Sequence, residues 1–220
     1  MESLKCIFVD WQYAYELCKD VFLKIRASGF RPDVVIAVAR GGWFLGRALC
    51  DFFLIKELFS VKVEHWGVAA TEGRAELRCW LDENAARRVE GKNVLITDDI
   101  TDTGDSLRIL LEHCRRSLNA KEVRTATMQH KTSSSITPDY YGEVLKEWKW
   151  VIYPWSIHED LFTLIPKVLG EGKTIEQIKE RLRDAFDIYI SQNTLEEVLE
   201  NMLHHGKVEK KGKLWTPAAQ

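Results

Sequence analysis

Short uninterrupted apolar runs alternate along this chain with longer segments that are apolar only at every third or fourth position. Asp33 to Ala39 (DVVIAVA) and Asn93 to Thr97 (NVLIT) are of the first kind and predict strands buried on both faces. Glu122 to His130 (EVRTATMQH) predicts a further strand, and Val61 to Ala70 (VKVEHWGVAA) and Ala75 to Leu81 two more extended segments. Between Asp10 and Ser28, Trp11, Tyr15, Cys18, Val21, Phe22 and Ile25 recur at helical spacing. Asp10 is placed to cap that helix and Gly29 to stop it. Helical patterning returns at Trp43 to Leu58, in the short DENAARRVEGK segment, and in DSLRILLEHCRRSL from Asp105 to Leu118.

Strand, tight turn and helix therefore repeat. That order predicts an α/β body with a mostly parallel twisted sheet flanked by helices. Ligands of such sheets bind beyond the carboxyl ends of the strands. Two unusual turns fall at those ends: Arg40-Gly41-Gly42 after the first buried run, and DDITDTGDS, Asp98 to Ser106, after the second. Past Pro166 the pattern becomes helix, helix and hairpin, with Gly170 and Gly172 as a hinge. The expected division is a body at 1–166 and a small winged-helix-like α+β domain at 167–220.

Composition narrows the classes. A hydrophobic share of 45% supports a buried core, and a net charge of −2 gives no general attraction for nucleic acid or anionic lipid. No segment reaches the roughly 18 apolar residues that span a bilayer, and the N-terminal stretch has no export-signal pattern. The five cysteines are scattered with no C-x-x-C pair, which suits reduced thiols and a cytoplasmic setting.

The chemistry concentrates at the second turn. A buried strand delivers Asp98 and Asp99 to the sheet edge, their side chains expected on opposite faces. The loop that follows, Thr103-Gly104-Asp105-Ser106, opens a helix, and backbone N–H groups at a helix start make an anion pocket. Carboxylates beside such a pocket would repel a bare phosphate. They suit a ligand that also carries hydroxyls or a divalent cation, and a sugar phosphate with Mg²⁺ has both.

VLITDDITDTGDS resembles the phosphoribosyl pyrophosphate signature of the type I phosphoribosyltransferases. VVIAVARGGWFLGRAL is similar to the pyrophosphate loop of the xanthine-guanine members, KWVIYPW to their purine-contacting segment near the end, and Lys131 falls where they carry a base-reading lysine. The resemblance implies that Asp98 and Asp99 bind ribose hydroxyls and organise Mg²⁺, and that Asp102 handles the proton on purine N7. It implies that Thr103, Gly104, Asp105 and Ser106 cradle the 5′-phosphate, and that Arg40 and Gly41, with Gly42 beside them, hold pyrophosphate. In that family the Arg40 turn often contains a non-proline cis peptide. Trp150 would stack on the purine, the Val151 backbone would touch its edge, and Lys131 would donate to a 6-oxo group. The implied activity is transfer of phosphoribose from phosphoribosyl pyrophosphate to hypoxanthine, guanine or xanthine in purine salvage, by a homodimer, giving a nucleoside monophosphate.

Three positions depart from the family pattern. Its closing loop carries a Ser-Tyr pair that is absent here, leaving Thr71, Glu72, Gly73 and Arg74 as the lid. Asp105 is acidic where a small or basic residue is usual, and its side chain is expected to point outward. Ser156 follows YPW where close relatives have an aspartate. A P-loop is excluded because no lysine follows Gly104. Two alternatives remain: a phosphoribosyl-pyrophosphate-sensing regulator using the C-terminal module on DNA, or a transferase for adenine or another base. Glu196, Glu197 and Glu200 on the second tail helix oppose a phosphate backbone, so no nucleic-acid or membrane partner is expected.

Overall fold

The computed structural model describes residues 4–65 and 75–218. The lid expected at Thr71 to Arg74 lies outside the described residues. In chain order the elements begin β1 (Cys6–Phe8), α1 (Trp11–Ala27), β2 (Val34–Ala39), α2 (Gly42–Phe53), β3 (Glu57–His65), β4 (Ala75–Cys79) and α3 (Glu83–Val89). They continue with β5 (Asn93–Thr101), α4 (Asp105–Ser117), β6 (Glu122–Lys131), β7 (Tyr140–Leu145) and β8 (Trp150–Ile152). The chain finishes with α5 (Ile157–Leu164), α6 (Pro166–Leu169), α7 (Ile175–Phe186), α8 (Gln192–His204), β9 (Val208–Lys211) and β10 (Leu214–Pro217). These form two compact units, Gln12–Trp148 and Met1–Trp11 with Lys149–Gln220.

The larger unit is built on a six-stranded sheet of order β4-β3-β2-β5-β6-β7, parallel except for the β3–β4 pair. Its central strands carry the continuous apolar runs because both faces are covered. Val35, Ile36, Val94, Leu95 and Ile96 are fully shielded from water, each worth roughly 1.5–3 kcal/mol of burial. From β2 the chain works outward through β3 to β4, and from β5 in the other direction through β6 to β7. The reversal lies between β2 and β5, where open α/β sheets form a ligand crevice.

Several boundaries differ from those read in the sequence. The helix expected from Trp43 to Leu58 stops at Leu54, which adopts φ 58° while the N–H groups of Leu54 and Ile55 close on the carbonyls of Asp51 and Cys50. This frees Glu57 to begin β3 opposite Val34, four residues before the expected strand. On α1 the buried stripe is Ala14, Leu17, Cys18, Val21 and Ile25, whereas Trp11 and Tyr15 are exposed. Phe22 instead joins an aromatic cluster with Phe52 and Phe53, ring centroids 5.1 and 4.8 Å away.

The boundary expected near Lys167 falls inside the smaller unit. Leu161 and Leu164 of α5, Leu169 of α6 and Ile165 between them share one apolar core with Ile178, Leu182, Leu195, Val198, Leu199 and Met202 from α7 and α8. Gly170 therefore turns the chain within a core. The parallel pair β1–β8 belongs to the same unit, Cys6 opposite Trp150. The expected helix, helix and hairpin are present. Thr174 and Gln177 form a reciprocal capping box on α7, Ser191 caps α8, and Lys173 bridges to Trp215 of the β9–β10 hairpin. Among the described residues no helix is long and apolar enough to cross a membrane.

Candidate active site

The crevice between β2 and β5 opens because the two strands part company. Their pairing ends at Ala37 with Thr97, while β5 continues beside β6 as far as Thr101 opposite His130. The strand thus extends four residues beyond NVLIT and carries both aspartates within it. The turn leaving β2 fills the gap, and the Ala39–Arg40 peptide in it is cis, as the family resemblance implies. Small residues allow this approach. A Cβ on Gly41 would overlap the Asp99 carboxylate, and one on Gly42 would overlap the Thr97 carbonyl. The Thr97 hydroxyl donates to the Gly42 carbonyl at 3.1 Å, fixing the start of α2 against β5. Arg40 is exposed at the mouth.

The two strand aspartates do not turn away from each other as alternation predicts. Asp99 N–H donates to Asp98 Oδ1 at 3.0 Å, and Ile100 N–H to Asp99 Oδ1 at 2.8 Å. These local bonds draw both side chains alongside the backbone. Burial first, and then the negative charge of Asp99, push the Asp98 carboxyl well above the usual carboxylate range. Two interacting carboxylates at a crevice fit a divalent cation that brings most of its own ligands, since Mg²⁺ commonly takes one or two protein carboxylates plus substrate oxygens and waters. No group of three or more His, Cys, Asp or Glu able to hold a metal occurs among the described residues.

The anion loop closes around Gly104, which sits at φ 89° just before α4 and offers the helix no side-chain cap. A side chain there would collide with Ile136 and Ser134. Ser135 adds two bonds to the Thr103 carbonyl, from its N–H at 3.0 Å and its hydroxyl at 2.8 Å. The Thr132 to Ser135 stretch, a plain polar loop in the sequence, thus buttresses the anion loop. Asp105 is tied down locally. Its carboxylate accepts from the Thr103 hydroxyl at 3.0 Å and from Arg108 at 2.7 Å, a guanidinium one helical turn on.

Asp102 and Lys131 come together. They lie immediately after β5 and at the end of the adjacent β6, which explains their meeting across 29 residues. Lys131 Nζ donates to Asp102 Oδ2 at 2.8 Å. The lysine side chain is only 2% exposed and the aspartate 38%. Trp148, absent from the sequence-based site, completes the group. Its indole N–H donates to Asp102 Oδ1 at 3.2 Å, and its ring lies 4.5 Å from Lys131 Nζ. Trp150 and Val151 lie on β8 of the smaller unit, where the Trp150 indole donates to Asp160 at 2.9 Å and Ser156 donates to the same carboxylate at 2.7 Å. Burial raises the Asp160 carboxyl above its ordinary range.

A parallel sheet with an acidic strand end, an anion loop at a helix start and a glycine turn across the reversal point defines an α/β protein made to hold a phosphorylated, hydroxyl-bearing ligand. The chain belongs to the phosphoribosyl transferase domain family, whose model matches residues 7–160. It is 23% identical over 201 residues to xanthine phosphoribosyltransferase 1 of Saccharomyces cerevisiae, covering 74% of this chain and 96% of that one. It is 30% identical over 149 residues to a Lactococcus lactis hypoxanthine-guanine phosphoribosyltransferase, covering 64% and 77%. The crystal structure of a purine phosphoribosyltransferase from Pyrococcus horikoshii superposes with a TM-score of 0.57 at 26% identity, over 69% of this chain and 94% of that one.

Proposed function

We propose that this chain is a purine phosphoribosyltransferase that moves phosphoribose from phosphoribosyl pyrophosphate to a 6-oxopurine, releasing pyrophosphate and a nucleoside monophosphate. The observation that carries the reading is the buried Lys131 ammonium held against Asp102, one strand from the Gly104 anion loop. An ammonium donates to a 6-oxo group, whereas the 6-amino group of adenine offers it a donor. Relatives named as xanthine, hypoxanthine-guanine and xanthine-guanine transferases support the same base class.

In this reading the first-turn N–H groups of α4 and the Thr103 and Ser106 hydroxyls receive the 5′-phosphate, aided by the helix dipole. Asp98 and Asp99 accept from the ribose hydroxyls. Arg40 and the Gly41 and Gly42 backbone hold the pyrophosphate and stabilise the charge that grows on it as the anomeric bond breaks. Asp102 takes up the proton from purine N7, a role worth about 10²–10⁴ in rate. Mg²⁺, bound with the donor substrate and held by Asp98 and Asp99, would supply charge neutralisation on the leaving group. A homodimer is part of the proposal, in keeping with exposed large apolar side chains such as Leu23 and Leu54. A cytoplasmic setting is supported by five unpaired thiols.

The test is to incubate the protein with phosphoribosyl pyrophosphate, Mg²⁺ and hypoxanthine, guanine, xanthine or adenine in turn, and to separate the products by chromatography. Nucleotide should form with the 6-oxopurines and hardly at all with adenine. Formation with adenine alone, or with none of the four, would overturn the reading.

A further inference from the structure

We infer that Trp148 occupies the place of the incoming base, so that the purine must displace its indole to reach Asp102 and Lys131. The inference rests on the base-reading roles proposed above and adds a residue that sets affinity for the base.

Both oxygens of Asp102 are taken. Oδ2 accepts from Lys131 Nζ at 2.8 Å and Oδ1 from the Trp148 indole N–H at 3.2 Å. An indole N–H on a five-membered ring resembles, in size and polarity, the imidazole-ring N–H that a purine would bring to the same oxygen. Lys131 is covered as well. Its ammonium lies 4.5 Å from the centre of the Trp148 ring, and its side chain is almost wholly shielded from water. A 6-oxo group cannot bond that ammonium while the ring lies over it.

Trp148 itself is 52% exposed and follows β7 in irregular chain, so it has room to leave. The exchange conserves bonding. The base brings an N–H for Asp102 and an oxygen for Lys131, replacing the indole donor and the ring face together. A ligand with only one of those groups replaces only part of what the indole gave up: it leaves either Asp102 Oδ1 to water or the buried Lys131 ammonium with Asp102 as its remaining contact in this group. Trp148 thereby favours bases that present donor and acceptor side by side. Release of the indole subtracts from the binding of every base.

The experiment compares wild type with Trp148→Phe, which keeps an aromatic face over Lys131 but has no N–H, and Trp148→Leu, which lacks both. Steady-state kinetics are measured at saturating phosphoribosyl pyrophosphate and Mg²⁺ with the 6-oxopurine varied, then with the donor varied. Removing one exposed bond to a charged group should lower KM for the base about threefold to tenfold in Trp148→Phe, and further in Trp148→Leu. The change should fall on base KM rather than on kcat or donor KM. A base KM that rises in both variants would make Trp148 part of the base's binding wall and overturn the inference. So would a base KM that stays at the wild-type value. Wild type that makes no nucleotide from any 6-oxopurine overturns the proposed function and this inference with it. Wild-type turnover with unresponsive variants overturns the inference alone.

Discussion

The Lys131–Asp102 pair is unequal, and the inequality has a measurable result. Replacing Asp102 with Asn leaves an ammonium whose side chain is 2% exposed without its counter-charge, facing a neutral carboxamide and the Trp148 ring. Breaking a buried pair in this way costs roughly 3–5 kcal/mol, and the remaining cation–π contact trims that to about 2–4. Replacing Lys131 with Met leaves instead a carboxylate that is 38% exposed and still accepts from the Trp148 indole. Water can solvate it, and Met is close to the lysine stem in length and shape, so the cost is below about 1 kcal/mol. For a domain of this size each kcal/mol moves the melting temperature by roughly 2–4 °C. Asp102→Asn should therefore melt about 5–15 °C below wild type and Lys131→Met within about 4 °C of it. The double variant should melt above Asp102→Asn alone, because no charge is stranded in it. Calorimetry or circular dichroism on the four proteins measures the cycle. Equal losses in the two single variants, or strictly additive losses in the double one, would refute the reasoning from burial.

Other expectations follow from the same geometry. Gly104→Ala forces a side chain into a left-handed backbone against Ile136 and Ser134, so it should cost about 2–4 kcal/mol and raise KM for phosphoribosyl pyrophosphate; an unchanged donor KM would remove Gly104 from the phosphate loop. Burial pushes the Cys18 and Cys114 thiols up to about 12 from 9.0, and Cys6 and Cys50 to about 11, while Cys79 is exposed. A thiol reagent at pH 8 should label Cys79 quickly and the other four only on unfolding; a second fast thiol in native protein would contradict this. Because the folded chain keeps those protons after an unfolded thiol has released them, stability should fall as pH climbs from about 9 to about 12, read from urea melts at stepped pH. Chelation should abolish turnover and Mg²⁺ restore it, while calorimetry with Mg²⁺ alone gives little heat without the donor substrate; strong binding of the metal by itself would argue for a resident ion.

Much of the body was legible because its signals are local. Strands buried on both faces write themselves as apolar runs, and the Gly41, Gly42 and Gly104 turns stand out by residue type. Asp98, Asp99, Asp102 and Lys131 drew notice in the sequence because each lies in or just after the carboxyl-terminal part of a strand. What escaped the sequence depends on pairing partners far along the chain. Nothing in ELF announces a strand until Val34 of β2 is beside Glu57. Cys6 to Phe8 is too short to call without Trp150 to Ile152 opposite. Trp148 sits in irregular chain with no periodicity to mark it, and its relevance comes from the position of Asp102, 46 residues away. Ser134 and Ser135 look like any polar loop until Gly104 is under them. The division into compact units differs from the expected domains because Gly170 punctuates the chain without ending the core shared by α5 through α8.

The pairing of Cys6–Phe8 with Trp150–Ile152 also orders events at the ribosome. The stretch from Gln12 to Trp148 is one contiguous segment and can collapse as it emerges. The first strand must wait, its edge unmatched, until the codon for Ile152 has been read. Closing so long a loop in an unfolded chain is entropically expensive, and prior folding of the intervening segment shortens what remains to be closed. A released chain that ended just short of Trp150 would therefore have a folded body and an unsatisfied leading strand, a species exposed to chaperones or to mispairing.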